Sequence, residues 1–212
     1  MPSRYLLPRD DAAAAALLSA VPRWQATGSL TITQVAKVLN PGEGLLYWAN
    51  KVGLEGKTLE EARGPKRSSG TRAHTAFTAP PGEHGERPAN SGGILRWHEE
   101  RHVRLIATER WVATREHPLV HGKGDYIRSE EGGVIVGDAK PLSGGGKTYF
   151  EQHVQVAGYA YALEANGVNV VGTEILLYDD QDFHVVPGIV TTALFQSLAR
   201  LAHTVERIKS QL

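Results

Sequence analysis

The stretch GKGDYIRSEEGGVIVGDAK, residues 122–140, decides how the rest of the chain is read. Two runs with strand character, Gly124–Arg128 and Val134–Lys140, flank Ser129-Glu-Glu-Gly-Gly133, which has the composition of a hairpin turn. With the turn centred between Glu131 and Gly132, Asp125 falls opposite Asp138. Asp138 and Lys140 are two residues apart on a strand, so their side chains share one face. Directly opposed carboxylates have Cβ atoms roughly 5 Å apart and repel. A proton or a divalent cation offsets that repulsion, and hard oxygen ligands favour Mg²⁺ or Mn²⁺. Lys140 is then placed to orient a water or to stabilise a pentavalent phosphate. On these three residues alone, a surface ladder with a cross-strand pair fits equally well.

Working outward, Thr108–Arg115 alternates Glu109, Trp111 and Ala113 against Arg110, Val112 and Thr114, the period of a strand. Downstream, Tyr149–Asn166 is predicted helical, Val170–Tyr178 and Phe183–Val186 are predicted strands, and Thr192–Lys209 is an amphipathic helix. Upstream, helices are predicted over 12–18, 31–39, 44–52, 58–63 and 71–77. Residues 78–93, rich in Gly and Pro, read as a loop, and Ile94–Ile106 as a further helix. The expected fold class is therefore α/β, a mixed central β-sheet flanked by helices, with a helical N-terminal region. That region spans residues 1–107 and an α/β core spans 108–212, the two forming one compact domain.

Composition narrows the function. Lys plus Arg and Asp plus Glu are 23 each, which excludes a uniformly basic nucleic-acid wrapper but not a basic groove balanced elsewhere. With no Cys, thiolate zinc sites, cysteine nucleophiles and cysteine-held iron–sulfur clusters are excluded. No apolar run approaches a membrane span and no signal-peptide core is seen, so a soluble cytoplasmic protein is expected.

Six short motifs stand in order along the chain: Leu45-Leu-Tyr-Trp48, Gly70-Thr-Arg-Ala-His74, Thr108-Glu109-Arg, Gly122-Lys-Gly-Asp125, Gly137-Asp138-Ala-Lys140 and Gln155-Val-Ala-Gly-Tyr159. In this order the sequence, from about Ser29 to Tyr178, resembles the PD-(D/E)XK nuclease superfamily, most closely its RecB-like and phage exonuclease branch. The resemblance implies a restriction-endonuclease-like core and a metal held by His74, Asp125, Asp138 and the backbone carbonyl of Ala139. It implies that Lys140 positions the attacking water, that Glu109 supports the site, and that Gln155 and Tyr159 line the DNA path. The implied activity is metal-dependent hydrolysis of DNA, by an exonuclease of DNA processing or recombination, in the host cytoplasm if phage-encoded. DNA is the expected partner, with a second copy of the chain or a recombination protein left open. Asp138 occupies the D/E position as an allowed variant, and the lack of Cys excludes the iron–sulfur subgroup.

Two other motifs compete. His98-Glu99-Glu-Arg-His102 matches the H-E-x-x-H of zinc peptidases, but charged residues fill the gap and no third ligand is marked. Ser143-Gly-Gly-Gly-Lys147-Thr148 imitates a P-loop, yet its first glycine position is Pro141. It reads better as a glycine loop with Lys147 available to a DNA phosphate. A structure-specific endonuclease or junction resolvase shares the carboxylate–lysine chemistry. Trp48 and Trp97 are expected in the core rather than stacked on a base.

Overall fold

The computed structural model describes residues 19, 28–38, 92–142 and 146–211. In chain order its elements are β1 (Leu30–Thr31), α1 (Ile32–Ala36), α2 (Gly92–Glu100), β2 (Leu105–Ala113), β3 (Val120–Glu130), β4 (Gly133–Pro141), α3 (Phe150–Glu164), β5 (Val170–Tyr178), β6 (Phe183–Pro187) and α4 (Thr192–Lys209). The helices expected over 12–18, 44–52, 58–63 and 71–77, with His74 and Trp48, lie outside the described residues.

The hairpin of β3 and β4 forms in the expected register, from Glu130↔Gly133 to Tyr126↔Gly137. Gly132 takes φ 86° at its turn, a conformation that glycine adopts without a Cβ clash. β2 pairs antiparallel with β3, and β5 with β6. β4 and β5 run parallel and are joined by α3, the crossover that a parallel pair requires. The result is an α/β fold with a mixed six-stranded sheet flanked by helices. β1 pairs parallel with β3 at Val120 and His121. β2 occupies one edge of β3 along most of its length, so β1 and β4 share the other edge, one at each end. Between them, residues 122–125 of β3 pair with no strand on that edge among the described residues.

Several boundaries differ from expectation. The N-terminal region supplies a strand, not only helices, and α1 begins after it. Thr31 caps α1 with a reciprocal pair: its hydroxyl accepts from the Gln34 N–H, and the Gln34 side chain accepts from the Thr31 N–H. The helix expected to reach Ile106 stops at Glu100. His102 turns left-handed at φ 47°, and the Val103 N–H donates to the His98 carbonyl at 3.1 Å, closing the helix end without a glycine. β2 then starts at Leu105, three residues before the expected strand.

Two apolar layers hold the sheet. On one face Val112, Val120, Ile127, Val134 and Val136 pack against α3, α1 and α4 through Val154, Leu163, Ile32 and Phe195. On the other, Tyr126, Ala139, Leu176 and Tyr178 pack under Ile94 and Trp97 of α2. Trp97 is a core residue, its ring 4.9 Å from that of Tyr126 in edge-to-face contact. α3 is apolar nearly all round because the sheet covers one side and α1 and α4 the other. Gly158 is where the helices meet. It makes room for α1 and α4 rather than for the sheet, since a Cβ there would lie 2.6 Å from both Ile32 Cγ2 and Phe195 Cε2. Both neighbours are fully buried and have little space to retreat. Gly158→Ala is therefore expected to destabilise the fold by about 1–3 kcal/mol. Urea unfolding should show a lower midpoint at unchanged slope.

Candidate active site

The unpaired stretch of β3 opens at the last rung of the hairpin. After Tyr126↔Gly137 the ladder would continue with Asp125 facing Asp138, but it does not. Instead the Ala139 N–H donates to Asp125 Oδ2 at 2.8 Å, so a carboxylate takes the place of a strand carbonyl. The rung before it is locked. A Cβ on Gly137 would fall 1.9 Å from Tyr126 Cζ, so the phenol ring occupies the space that a side chain would need. The Tyr126 hydroxyl donates to Glu174 Oε1 at 2.8 Å. Arg128 grips the same carboxylate with Nε at 2.9 Å and a terminal nitrogen at 2.8 Å. Burial first, then the charge of Glu174, hold the Tyr126 phenol well above its ordinary range.

Asp125 and Asp138 are 8% and 2% exposed, so the pair sits out of water. Burial, then the charge of Asp138, push the Asp125 carboxyl up to about 8, against the opposing pull of Lys140 and the Ala139 N–H. Lys140 Nζ lies 2.6 Å from Asp138 Oδ2 as an ion pair. That oxygen is buried and has no well-aligned hydrogen bond among the described residues. Burial acts to lower the Lys140 pKa, but Asp138 and Asp125 together outweigh it and raise it. Lys140 is accordingly a cation here and not a base.

Tyr159 closes one side of this spot. Its ring lies along β3 over Gly122 and Gly124, where a Cβ on Gly122 would be 2.8 Å from Cε1. Burial, followed by Asp138, Asp125 and Glu109, holds its phenol above the usual range, so its hydroxyl is a donor. Gln155, one turn earlier and partly exposed, reaches Thr33 Oγ1 of α1 at 3.5 Å. Glu109 stands on β2 between the pairs Thr108↔Tyr126 and Arg110↔Gly124, which places it across from Asp125. It adopts φ 50°, uncommon for a glutamate, and forms an ion pair with Lys123. Lys147 is exposed on the segment leading into α3.

The structure thus brings Asp125, Asp138, Ala139, Lys140 and Tyr159 together, with Glu109 on the far edge of β3. Among the described residues, no three His, Asp or Glu side chains converge as a metal cluster. His98 and His102 do not share a helical face, because His102 lies beyond the end of α2 in left-handed conformation. Burial lowers the His98 imidazole, which a bond with the Val103 backbone partly opposes. Sequence reasoning missed Tyr126, Arg128 and Glu174. The one available signal was Gly137 ahead of Asp138, a glycine in a strand that marks a close approach.

No family model matches the chain, and no curated protein matches it. Among solved structures it is similar to one described as that of SSO0001, at 12% identity, covering 92% of this chain and 84% of that one, with a TM-score of 0.49.

Asp125 makes the site sensitive to pH. Its folded-state value of about 8 lies above the ordinary 3.8, so the folded chain keeps a proton that the unfolded chain releases. The stabilisation from that proton is full below 3.8 and is lost as pH rises through about 8. In metal-free buffer, Asp125→Asn should melt above the wild type at pH 8, with the gap closing towards pH 4. Melting curves at both pH values check it, and a gap independent of pH would contradict the buried-carboxyl assignment.

Proposed function

We propose that this chain is a metal-dependent deoxyribonuclease with a restriction-endonuclease-like core, of the RecB-like branch of the PD-(D/E)XK superfamily. The observation that carries the reading is the interrupted β3–β4 ladder, which gathers Asp125, Asp138 and Lys140 at one buried spot. The donor set suits a hard divalent cation. Asp138 Oδ2 is buried without an aligned donor, and Asp125 is held protonated by its own burial and by the charge beside it. Mg²⁺ or Mn²⁺ would be held by Asp125, Asp138 and the Ala139 carbonyl, with His74 as the nitrogen ligand. Bound there, the ion would supply an activated water and neutralise developing phosphate charge.

The side chains divide the remaining work. Lys140, kept cationic by the two carboxylates, orients the attacking water and faces the phosphate. Tyr159, kept protonated, donates to the substrate backbone, while Gln155 and Lys147 extend the DNA path away from the site. Glu109, paired with Lys123, fixes the β2 side of the same stretch of β3. An exonuclease of DNA processing or recombination, working in the cytoplasm, is the form of the activity we favour.

Purified protein should degrade linear but not closed circular DNA with Mg²⁺ or Mn²⁺, and neither with chelator. Asp138→Asn and Lys140→Ala should each lower turnover by roughly 10²–10³-fold while melting as folded proteins. Near wild-type cleavage by either variant would refute the site. His74→Ala should shift the Mn²⁺ titration of activity to higher concentration more than the Mg²⁺ titration, because imidazole suits Mn²⁺ better. Equal shifts would remove His74 from the ligand set.

A further inference from the structure

The chemistry proposed above uses the Lys140 face of β4, while the opposite face carries a polar group that this chemistry leaves idle. Tyr178, the last residue of β5, is 2% exposed, and its hydroxyl meets no hydrogen-bond partner among the described residues. Buried tyrosines usually find a partner for the O–H, because an unmade bond leaves the full desolvation cost uncompensated. An orphan hydroxyl in an otherwise well-packed layer therefore points to something that it serves.

Its position shows what lies within reach. Tyr178 pairs in register with Pro141 and packs in the layer containing Ala139, Leu176, Tyr126 and Trp97. After burial, the charges that act on its phenol are those of Asp125 and then Asp138, which together push it up to about 12. Asp125 belongs to β3 and Tyr178 to β5, with β4 running between them. The ring lies in one buried layer with Ala139, whose N–H holds Asp125. Residue 139 presents a single methyl on that face, buried in the same layer. A larger residue at the middle position of Asp138-Ala139-Lys140 would fill the space beneath the tyrosine.

We infer that Tyr178 is a positioning residue for Asp125, its hydroxyl reaching the carboxylate from beneath β4 through one bound water, and that Ala139 is small to let it pass. This rests on the metal-site reading above, because the oriented form of Asp125 is the one that holds the ion. The phenol stays protonated across the working range, so it can only support Asp125 as a donor and never competes for the ion as an anion. Ala139 thus contributes three times: its N–H to Asp125, its carbonyl to the proposed ion, and its small side chain to the tyrosine. Outer donors of this kind commonly govern metal affinity by 10–100-fold.

The test is Mn²⁺ binding by calorimetry to wild type and Tyr178→Phe, without DNA, with melting curves of both metal-free proteins. Phenylalanine keeps the ring and removes only the hydroxyl, so the fold is retained. The expected result is at least tenfold weaker Mn²⁺ binding by the variant. Affinity within twofold of wild type overturns the inference whatever the melting temperature does. A melting temperature raised by the substitution would then identify the hydroxyl as a plain unsatisfied group. A wild type that binds no Mn²⁺ overturns the metal reading and this inference together, whereas equal binding by both proteins leaves that reading standing and removes Tyr178 alone.

Discussion

One backbone hydrogen bond changes partner at the end of the β3–β4 ladder, and the arrangement of the acidic pair depends on it. The Ala139 N–H turns to the Asp125 carboxylate instead of a carbonyl on β3. A strand N–H that gives up its ladder partner must find another acceptor, because a buried orphan N–H is costly. The carboxylate is that acceptor, and the exchange anchors Asp125 beside β4 while Asp138 flanks it from β4 itself. The separation is possible because β4 holds only the last part of β3 and β1 only its start. Among the described residues no strand pairs with 122–125 on that edge, and the Tyr159 ring of α3 lies over Gly122 and Gly124.

The charges then follow from the geometry. Two carboxylates and one ammonium share a volume from which water is largely excluded, so like-charge repulsion is screened far less than at the surface. Lys140 neutralises Asp138 directly. That leaves Asp125 as the surplus anion, and protonation is the least costly way for the chain alone to accommodate it. A divalent cation offers a different solution to the same imbalance, because it lets both carboxylates ionise beside a retained Lys140. A proton and such a cation would therefore compete at Asp125, whose raised pKa reflects its burial first and the charge of Asp138 second. The Tyr159 phenol on α3 is raised by its burial first, and then by Asp138, Asp125 and Glu109.

The elements that the sequence made legible were those defined by a strong local signal. β5 and α4 have the expected limits because β-branched density and helical periodicity both reach to their ends. The hairpin register followed from its Gly-Gly turn, and with it the meeting of Asp125 and Asp138. Where local signal was weak, long-range packing decided. β3 runs back to Val120 through two glycines that read poorly as strand, because β2 pairs along one edge and the Tyr159 ring lies over them. Beyond the end of α2 at Glu100, His102 takes the left-handed conformation, a role usually signalled by glycine. Tyr126, Arg128, Glu174 and Tyr178 looked like ordinary strand residues, since nothing in a linear sequence shows that β5 will lie beside β4. Their partners are fixed only by the parallel pairing of β4 with β5, a non-local choice.

That pairing also explains why a buried ion pair stands so close to the site. Arg128 and Glu174 lie on β3 and β5, with Gly137 of β4 between them and Tyr126 bonded to the same carboxylate. Burying such a pair brings little net stability, because desolvation of both charges offsets most of their attraction. Its geometry is demanding, however, and is met in one alignment of the three strands. A slip of β4 by one residue would turn every side chain to the opposite face, placing Ala139 where Asp138 stands and burying Lys140 beneath α2. It would also drive a side chain into the space that Tyr126 occupies over Gly137. The clamp and the glycine thus oppose the slip from one face of the sheet, and the acid pair that they keep in register works on the other. The polar network near the site is best understood as a fixture of alignment, and the cost of burying it as the cost of keeping two carboxylates and a lysine at one place.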